Sequence, residues 1–485
     1  MPADEESAKT AAARRAVREL LRVAPVTDRL ADRFIAAGHD LYLVGGPVRD
    51  ALLGRLPPDL DFATDARPEQ ILTLVASLGP TWTTGIAYGT VGVLLSDDGA
   101  EHRCEITAYR SDVYEPASRK PDVTFGTTIE GDLSRRDFAV NAMAVQLPLR
   151  AARPVVDPFG GLDDLGRRLL RTPGAPEQSF DDDPLRMLRA ARFAAQLGFT
   201  VDPAAVAAIK AMAPRLAIVS AERVRDELVK LVLAPEPRRG LALLVDTGLA
   251  EHCLPELGRL KETVDEHRRH KDVYAHTLTV LEQAIGMEGG APDLVLRLAA
   301  LLHDIGKPKT KSVGPGGKVS FHHHEVVGAA MTRQRLTELR FPKDVVEDVA
   351  RLVELHLRFH GYAEGEWTDA AVRRYVRDAG PLLDRLHKLT RSDCTTRNAA
   401  KARALSSAYD SLERRIAELA EMEDLQRIRP DLDGNEIMQV LGVGPGPLVG
   451  RAYRHLLEQR LERGSLSHEE AVAELRRWAA GQGDD

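Results

Sequence analysis

Short apolar runs alternate with helical repeats over the first third of the chain, and helical repeats fill most of the remainder. The spacing of apolar residues predicts a helix from Asp28 to Ala37, a strand from Leu41 to Val44, a Gly45-Gly46 turn and a short helix opening at Pro47. A second strand then carries Asp59 and Asp61. Thr90 to Leu95 and His102 to Ala108 alternate or run apolar like neighbouring strands, with Asp97-Asp98-Gly99 as the turn between them. Residues 109–131 mix Pro, Gly, Ser and charges with little periodicity, as long functional or disordered connections do. Val155 to Leu165 reads as one more strand. Residues 166–262 are rich in Ala and Leu at helical spacing, and from Lys401 onward the helices are heavily charged. The segment GVGPGPLVG joins two of these late helices; it predicts either an interhelical turn or a bend whose N–H groups face RNA phosphates.

With 485 residues, 44% of them hydrophobic, the chain has material for several domains that each bury a core. Aromatics are only 5%, so those cores must rest on Leu, Val and Ala. A net charge of −7 does not advertise a nucleic-acid binder, yet Arg167, Arg168, Arg171, Arg186, Arg189 and Arg192 cluster locally. Cys104, Cys253 and Cys394 lie far apart, which argues against a disulfide framework and for a reducing compartment. No apolar run approaches a membrane span and the N-terminus has no signal-peptide core, so a soluble cytoplasmic protein is expected, with no membrane partner.

The densest chemistry lies in LVGGPVRDALLGRLPPDLDFAT, Leu43 to Thr64. At Gly45 and Gly46 the missing Cβ atoms let backbone N–H groups approach a ligand, and the helix start behind them suits phosphate. Arg49 adds a fixed cation, so a triphosphate fits. Asp59 and Asp61, one residue apart on an extended segment, face the same side and can hold Mg²⁺. Either motif alone is more often an ordinary turn. Their joint occurrence points to nucleotidyl transfer, in which two metals clamp the attacking and leaving oxygens of an in-line displacement. Glu105 reads as a third acidic group or as a partner for an arginine.

Two later stretches add polar side chains. In DLSRRDFAVNAMAV, Asp132 is placed as the cap of a helix from which Arg136, Asp137 and Asn141 project; the alternative is a helix turn with internal Arg–Asp pairs. A carboxylate and an amide suit ribose hydroxyls, and Arg136 suits phosphate. In SFDDDPLRMLRAARFAAQLGF, Asp183, Arg186, Arg189 and Arg192 recur every three residues on a helix beginning at Pro184. Cytosine and adenine both present an amine on their pairing edge, so an Asp–Arg pair can select C and A without a template. Asp183 is equally an N-cap, and the arginines equally a solvated face.

These motifs resemble the tRNA nucleotidyltransferase/poly(A) polymerase family, within the polymerase-β-type nucleotidyltransferases. Arg135-Arg136-Asp137-Phe138-Ala139 stands where the family pattern is RRDFT, and Asp182-Asp183-Pro184-Leu185-Arg186 where class II CCA-adding enzymes carry Glu-Asp-x-x-Arg. Glu222-Arg223-Val224 with Glu227-Leu228 resembles the next family motif, a helical support for the base-reading helix. The resemblance also implies that residues 109–131 form a mobile loop beside the nucleotide site, which helps preference change from C to A.

A second constellation follows His267: His276, the pair His303-Asp304, the triplet His322-His323-His324, then His356, His360 and Asp393. Imidazoles and carboxylates gathered from successive helices make a mixed N/O site for a divalent transition metal. The order resembles the HD phosphohydrolase superfamily, with His276, His303, Asp304, His324, His356 and Asp393 as ligands and His323 as the substitute for His324.

The fold expected is α+β: a polymerase-β-like nucleotidyltransferase head with a small mixed sheet, followed by all-α neck, HD and tail domains. The expected divisions are an extension at 1–24, the head at 25–165, the neck at 166–262, the HD domain at 263–400 and an RNA-binding body and tail at 401–485. The family implies addition of C, C and A to tRNA from CTP and ATP with Mg²⁺. Poly(A) synthesis and C-only or A-only addition share the head motifs. An HD-domain phosphohydrolase whose head only binds RNA is the alternative of another class.

Overall fold

The computed structural model describes residues 15–16, 18, 26–55, 59–97, 100–113, 122–149, 155–263, 272–315, 319–359, 362, 367–395, 398–422 and 429–482. The chain forms two compact units, residues 1–255 and 256–485.

In the first unit, helix α1 (Val26–Ala36) leads to strand β1 (Leu41–Val44), helix α2 (Gly46–Leu52) and strand β2 (Asp59–Thr64). Helix α3 (Pro68–Val75), strands β3 (Thr81–Trp82), β4 (Thr90–Asp97) and β5 (Ala100–Ala108), helix α4 (Ile129–Ser134), and strands β8 (Ala144–Leu147) and β9 (Val155–Val156) complete a seven-stranded sheet with its covering helices. The strand order is β3-β4-β5-β2-β1-β8-β9. Only β2 and β5 pair in parallel, so the sheet is mixed, as the sequence predicts.

The period-two alternation of the strands sorts the two faces. Leu60 and Phe62 of β2, Val91, Val93 and Leu95 of β4, and Cys104 and Ile106 of β5 are buried on one side against Leu30, Phe34, Ile71 and Val75 of the helices. Asp59, Asp61, Arg103 and Glu105 stand on the other side. A one-residue slip of β2 would bury both aspartates.

Three local expectations change. The long connection after β5 holds a hairpin, β6 (Arg110–Val113) and β7 (Asp122–Phe125), whose pairing comes from the partner strand rather than from periodicity; the residues between them lie outside those described. The expected strand Val155 to Leu165 is extended only at Val155–Val156. Asp157 then accepts from Gly161 N (2.7 Å) and Leu162 N (2.9 Å), and helix α5 (Gly161–Arg167) begins. Thr128, not Asp132, caps α4, and α4 ends at Ser134, so Arg136 and Asp137 are outside any helix and Asn141 closes a 3₁₀ turn.

After the sheet the chain continues with helices α6 (Pro176–Asp182), α7 (Leu185–Leu197), α8 (Pro203–Met212), α9 (Ala221–Val232) and α10 (Pro237–Asp246). Gly240 lets α10 lie directly on α7: a Cβ there would stand 2.4 Å from the Ala191 carbonyl oxygen.

The second unit is helical: α11 (Val273–Gly286), α12 (Leu294–Leu302), α13 (His324–Glu338), α14 (Lys343–Leu355), α15 (Asp369–Ala379), α16 (Leu383–Asp393), α17 (Ala399–Met422), α18 (Gly434–Leu441), α19 (Pro447–Arg463) and α20 (His468–Ala480). The last three share a small core of Leu432, Ile437, Ala452, Leu456, Ala471 and Leu475. Among the described residues no helix is long and apolar enough to cross a membrane.

Candidate active site

In the first unit a cavity of about 620 Å³ collects most of the residues singled out above: Gly45, Gly46, Arg49, Asp59, Asp61, Arg136, Asp137, Asn141, Asp183, Arg186, Arg189 and Arg192. They come from four segments that the sheet and α7 bring together. Arg110, Arg135, Phe193 and Lys230, which the sequence did not single out, line it too.

Its floor is the glycine turn. Gly45 has φ +74°, and a Cβ on it would lie 2.7 Å from Arg136 Nη1, so only glycine lets that guanidinium lie over the start of α2. Arg49, 8% exposed, donates from Nη1 to Asn141 Oδ1 (2.6 Å) and from Nε and Nη2 to Asp50 (2.9 Å each). Asn141 in turn donates to Asp137 Oδ1 at 2.9 Å, and Asp137 also accepts from Phe138 N (2.8 Å) and Arg189 Nε (2.7 Å). Both oxygens of Asp137 are thereby occupied by protein donors.

Asp132 is 1% exposed and splints two neighbours. Its Oδ1 accepts from Arg135 Nη2 (2.6 Å) and its Oδ2 from Arg136 Nη2 (3.1 Å). Burial opposes ionisation here, but Arg136 and Arg135 overcome it and hold the carboxyl below its ordinary range. The i,i+3 and i,i+4 spacing in the sequence is the signal for this role; a helix cap was the wrong use of it.

Asp183 and Arg186, expected to meet the base together, both line the cavity, and each has protein partners of its own. Asp183 accepts from Leu185 N (3.1 Å) and from Arg223 Nη2 of α9 (2.7 Å). Arg186 donates to Ser179 Oγ (2.9 Å) and to the Arg135 carbonyl (2.5 Å). Arg192 meets Glu227 at 2.5 Å, and its guanidinium lies 3.9 Å over the Phe193 ring. Arg186 and Arg192 are each 8% exposed, so they do not form a solvated face. Arg223 and Glu227, read from the sequence as support for this helix, are the residues of α9 that grip it.

Asp59, Asp61 and Glu105 stand together on the open face, Asp61 directly beside Glu105 in the β2–β5 register. Arg103 Nη2 lies 3.5 Å from Glu105 Oε1, so Glu105 fills both readings the sequence left open. Burial pushes the Asp61 carboxyl up to about 6; Arg136 pulls it down, and Glu105 and Asp59 push it further up. A buried carboxyl that resists ionisation, with two more acidic groups beside it, fits a hard divalent cation.

A separate set lies in the second unit. His303 and His356 follow the last turns of α12 and α14, His324 begins α13, His276 is on α11, and Asp393 ends α16. His323 has φ +61°, which turns it outward and leaves it exposed, while His324 is 7% exposed; the triplet therefore supplies His324. His360 lies outside the described residues. The Nδ1 atoms of His303, His324 and His356 face the Ala300, Phe321 and Val353 carbonyls at 2.9, 2.8 and 2.6 Å, so each proton sits on Nδ1. Their Nε2 lone pairs are buried without a hydrogen-bond partner. His303 Nε2 and His324 Nε2 point at Asp304 from 3.2 and 3.3 Å, and His276 Nε2 lies 2.9 Å from Asp393 Oδ1. Burial and the neighbouring His303 and His324 rings push His356 down to about 3, which keeps it neutral. Lone pairs facing carboxylate oxygens fit a cation between them, and the two groups His276/His303/Asp304 and Asp304/His324/His356 each bring their ligand atoms within 4.8 Å of one another.

Sheet, glycine turn and clustered carboxylates define a nucleotidyltransferase head carried on helical domains. The sequence pattern of the poly A polymerase head domain matches residues 41–171, that of the probable RNA and SrmB-binding site of polymerase A residues 198–260, and that of the HD domain residues 273–398. The A-adding tRNA nucleotidyltransferase of Deinococcus radiodurans is 37% identical over 448 residues, 90% of this chain and 95% of the relative. The CC-adding tRNA nucleotidyltransferase of Thermus thermophilus is 35% identical over 454 residues, 91% of this chain and 94% of the relative. Among solved structures, that of the Bacillus stearothermophilus CCA-adding enzyme in complex with CTP superposes with a TM-score of 0.68 at 26% identity, covering 94% of this chain and 98% of that one. The chain belongs to the tRNA nucleotidyltransferase/poly(A) polymerase family and is a nucleotidyltransferase.

Proposed function

We propose that this enzyme adds C, C and A to the 3′ end of tRNA from CTP and ATP without a nucleic-acid template. The observation that carries the reading is the single cavity in which carboxylates, triphosphate-sized cationic walls and the Asp183/Arg186 edge of α7 meet. The 3′-hydroxyl of the RNA attacks the α-phosphorus; a P–O bond forms, the bond to the β-phosphate bridge breaks, and pyrophosphate leaves. Gly45, Gly46, Arg49 and Arg136 bind the triphosphate. Asp137, Asn141 and Asp132 hold those arginines and Arg189 in place rather than spending their oxygens on the ligand. Asp183 and Arg186 meet the base, with Arg223 and Glu227 fixing α7 behind them. Asp59 and Asp61, joined by Glu105, would hold Mg²⁺, which supplies charge neutralisation and an activated hydroxyl. In this reading residues 25–165 carry out transfer, 166–262 read the base, 263–400 form the metal pocket and 401–485 grip RNA.

The test is extension, at single-nucleotide resolution, of a tRNA ending before CCA, with CTP, ATP, both, and UTP or GTP. Two C then one A, lost in Asp59→Ala/Asp61→Ala, is expected. Addition of C alone or A alone places the enzyme with its partial-adding relatives. A long A tail makes it a poly(A) polymerase.

The buried Nε2 lone pairs support a second activity. The HD pocket binds a divalent transition metal through His303, Asp304, His324 and His356, with His276 and Asp393 beside them, and hydrolyses phosphate esters. Metal-dependent cleavage of bis-p-nitrophenyl phosphate should persist in Asp59→Ala/Asp61→Ala and vanish in His324→Ala; the reverse pattern would sink it.

A further inference from the structure

One row of residues runs across the open face of the sheet at the level of the carboxylates. Asp61 is in register with Glu105, Glu105 with Gly92, and Gly92 with Trp82 on the edge strand β3. Register partners in adjacent strands project to the same face. The Trp82 indole lies flat across the sheet, in a notch that exists only because residue 92 is glycine: a Cβ there would fall 1.8 Å from Trp82 Cε2. From above, the Arg103 guanidinium covers the ring at 4.7 Å from its centroid, and the same guanidinium reaches Glu105. The core lies on the opposite face, so this aromatic is held away from it, half-buried, beside the carboxylates.

We propose that Trp82, seated on Gly92, is the stacking platform for the unpaired 3′-terminal base of the RNA that receives the nucleotide, the base taking the place of the Arg103 guanidinium on the ring's outer face. The inference rests on the transfer reading above and adds to it the position of the second substrate. In-line displacement places the attacking hydroxyl and the leaving pyrophosphate on opposite sides of the α-phosphorus. The triphosphate walls, Gly45, Arg49 and Arg136, lie on the β1 side of the carboxylates; β5, β4 and β3 extend the other way. The RNA terminus therefore approaches over β5 and β4. An indole above Gly92 is two strand spacings from Asp61, about 10 Å, a span that one nucleotide bridges from its 3′-oxygen to its base. Arg103, with its side chain 58% exposed, leaves the ring for the backbone phosphate of that nucleotide. A planar ring with a guanidinium at hand for the phosphate is the sequence-tolerant surface that single-stranded RNA uses, and tolerance is required because the terminal base changes as nucleotides are added.

The experiment measures both substrates separately. With the full chain, KM for the tRNA primer in Trp82→Ala should rise about tenfold, the size of one base–aromatic stack, while KM for CTP stays unchanged. Trp82→Phe should restore it and Trp82→Leu, which covers the glycine equally well without a planar ring, should not. Gly92→Ala, by displacing the indole, should reproduce the alanine phenotype. An RNA hairpin with 2-aminopurine as its 3′-terminal nucleotide should be quenched on binding the wild type and Trp82→Phe but not Trp82→Leu. Rescue by leucine, or an unchanged RNA KM in an actively extending Trp82→Ala, overturns the platform and leaves the transfer reading standing. If the wild type extends no RNA, it is the transfer reading that falls, and the platform falls with it.

Discussion

Replacing Asp137 by asparagine removes the charge at the centre of the cavity wall with little change of shape. The carboxylate is 5% exposed, and burial alone would raise its pKa. Arg189, the Asn141 amide, Arg186 and the Phe138 N–H outweigh burial and lower it to about 2. A fall of nearly two units is worth about 2.5 kcal/mol of folding stability. Because the folded pKa is depressed, that contribution is complete at neutral pH and is lost as pH falls from about 4 toward 2. Complete rupture of a buried pair costs about 3–5 kcal/mol, but the Arg189 side chain is 36% exposed and water can partly replace its partner. Asp137→Asn should therefore cost about 2–3 kcal/mol at pH 7. The chain has three tryptophans, and Trp82 is the one within the first unit, so a Trp367→Phe/Trp478→Phe background makes urea unfolding of that unit visible by fluorescence. A cycle with Arg189→Gln should show coupling of about 2 kcal/mol that shrinks below pH 4. Additivity within about 0.5 kcal/mol, or a loss indifferent to pH, would refute the network described here.

Asp61 carries the opposite sign: with its folded pKa raised to about 6, the metal-free protein loses stability as pH climbs from the unfolded value through 6. Asp61→Asn should thus stabilise metal-free protein by up to about 3 kcal/mol at pH 7.5, with no gain at pH 3.5, and Mg²⁺ should reverse the ranking; thermal melts at the two pH values decide it. Glu227→Gln leaves Arg192, whose side chain is 10% exposed, buried without its anion and should cost about 3–5 kcal/mol, read from the same urea curves; a loss under 1 kcal/mol would mean that α9 does not hold α7 through this pair. Chelator-treated protein given Mn²⁺ at about 100 times its dissociation constant should gain about 2.7 kcal/mol in the second unit, and His356→Ala should abolish the gain; an unmoved melt in the wild type would show the pocket does not bind that metal.

What could be read in advance follows from how local each signal is. The period-two placement of Asp59 and Asp61, the glycine turn ahead of Pro47 and the ordered recurrence of His276, His303-Asp304 and His356 all lie within one element or one family pattern, and each stands where its residues predicted. Pairings between elements were not legible. Nothing near Asp183 indicates that it meets Arg223 of α9, and nothing near Arg186 points to the Arg135 carbonyl, because both depend on how α7 lies against α4 and α9. The His triplet needed backbone geometry: a left-handed His323 turns one imidazole to solvent and starts α13 at the next. The hairpin within 109–131 escaped because its two strands are paired with each other across residues of little periodicity.

Most arginines of the cavity come with an anion already attached: Arg49 with Asp50, Arg135 and Arg136 with Asp132, Arg189 with Asp137, Arg192 with Glu227. Paired at contact distance, such charges nearly cancel beyond a Debye length of about 8 Å, and the whole molecule is anionic at −7. The pairing weakens the long-range pull of those guanidiniums on a passing polyphosphate. Admission is decided inside, where the guanidiniums have already lost their freedom during folding and need only exchange part of one partner for another. The consequence is a cavity whose cationic side chains are ordered before any ligand arrives, so that little of the binding energy goes into ordering them.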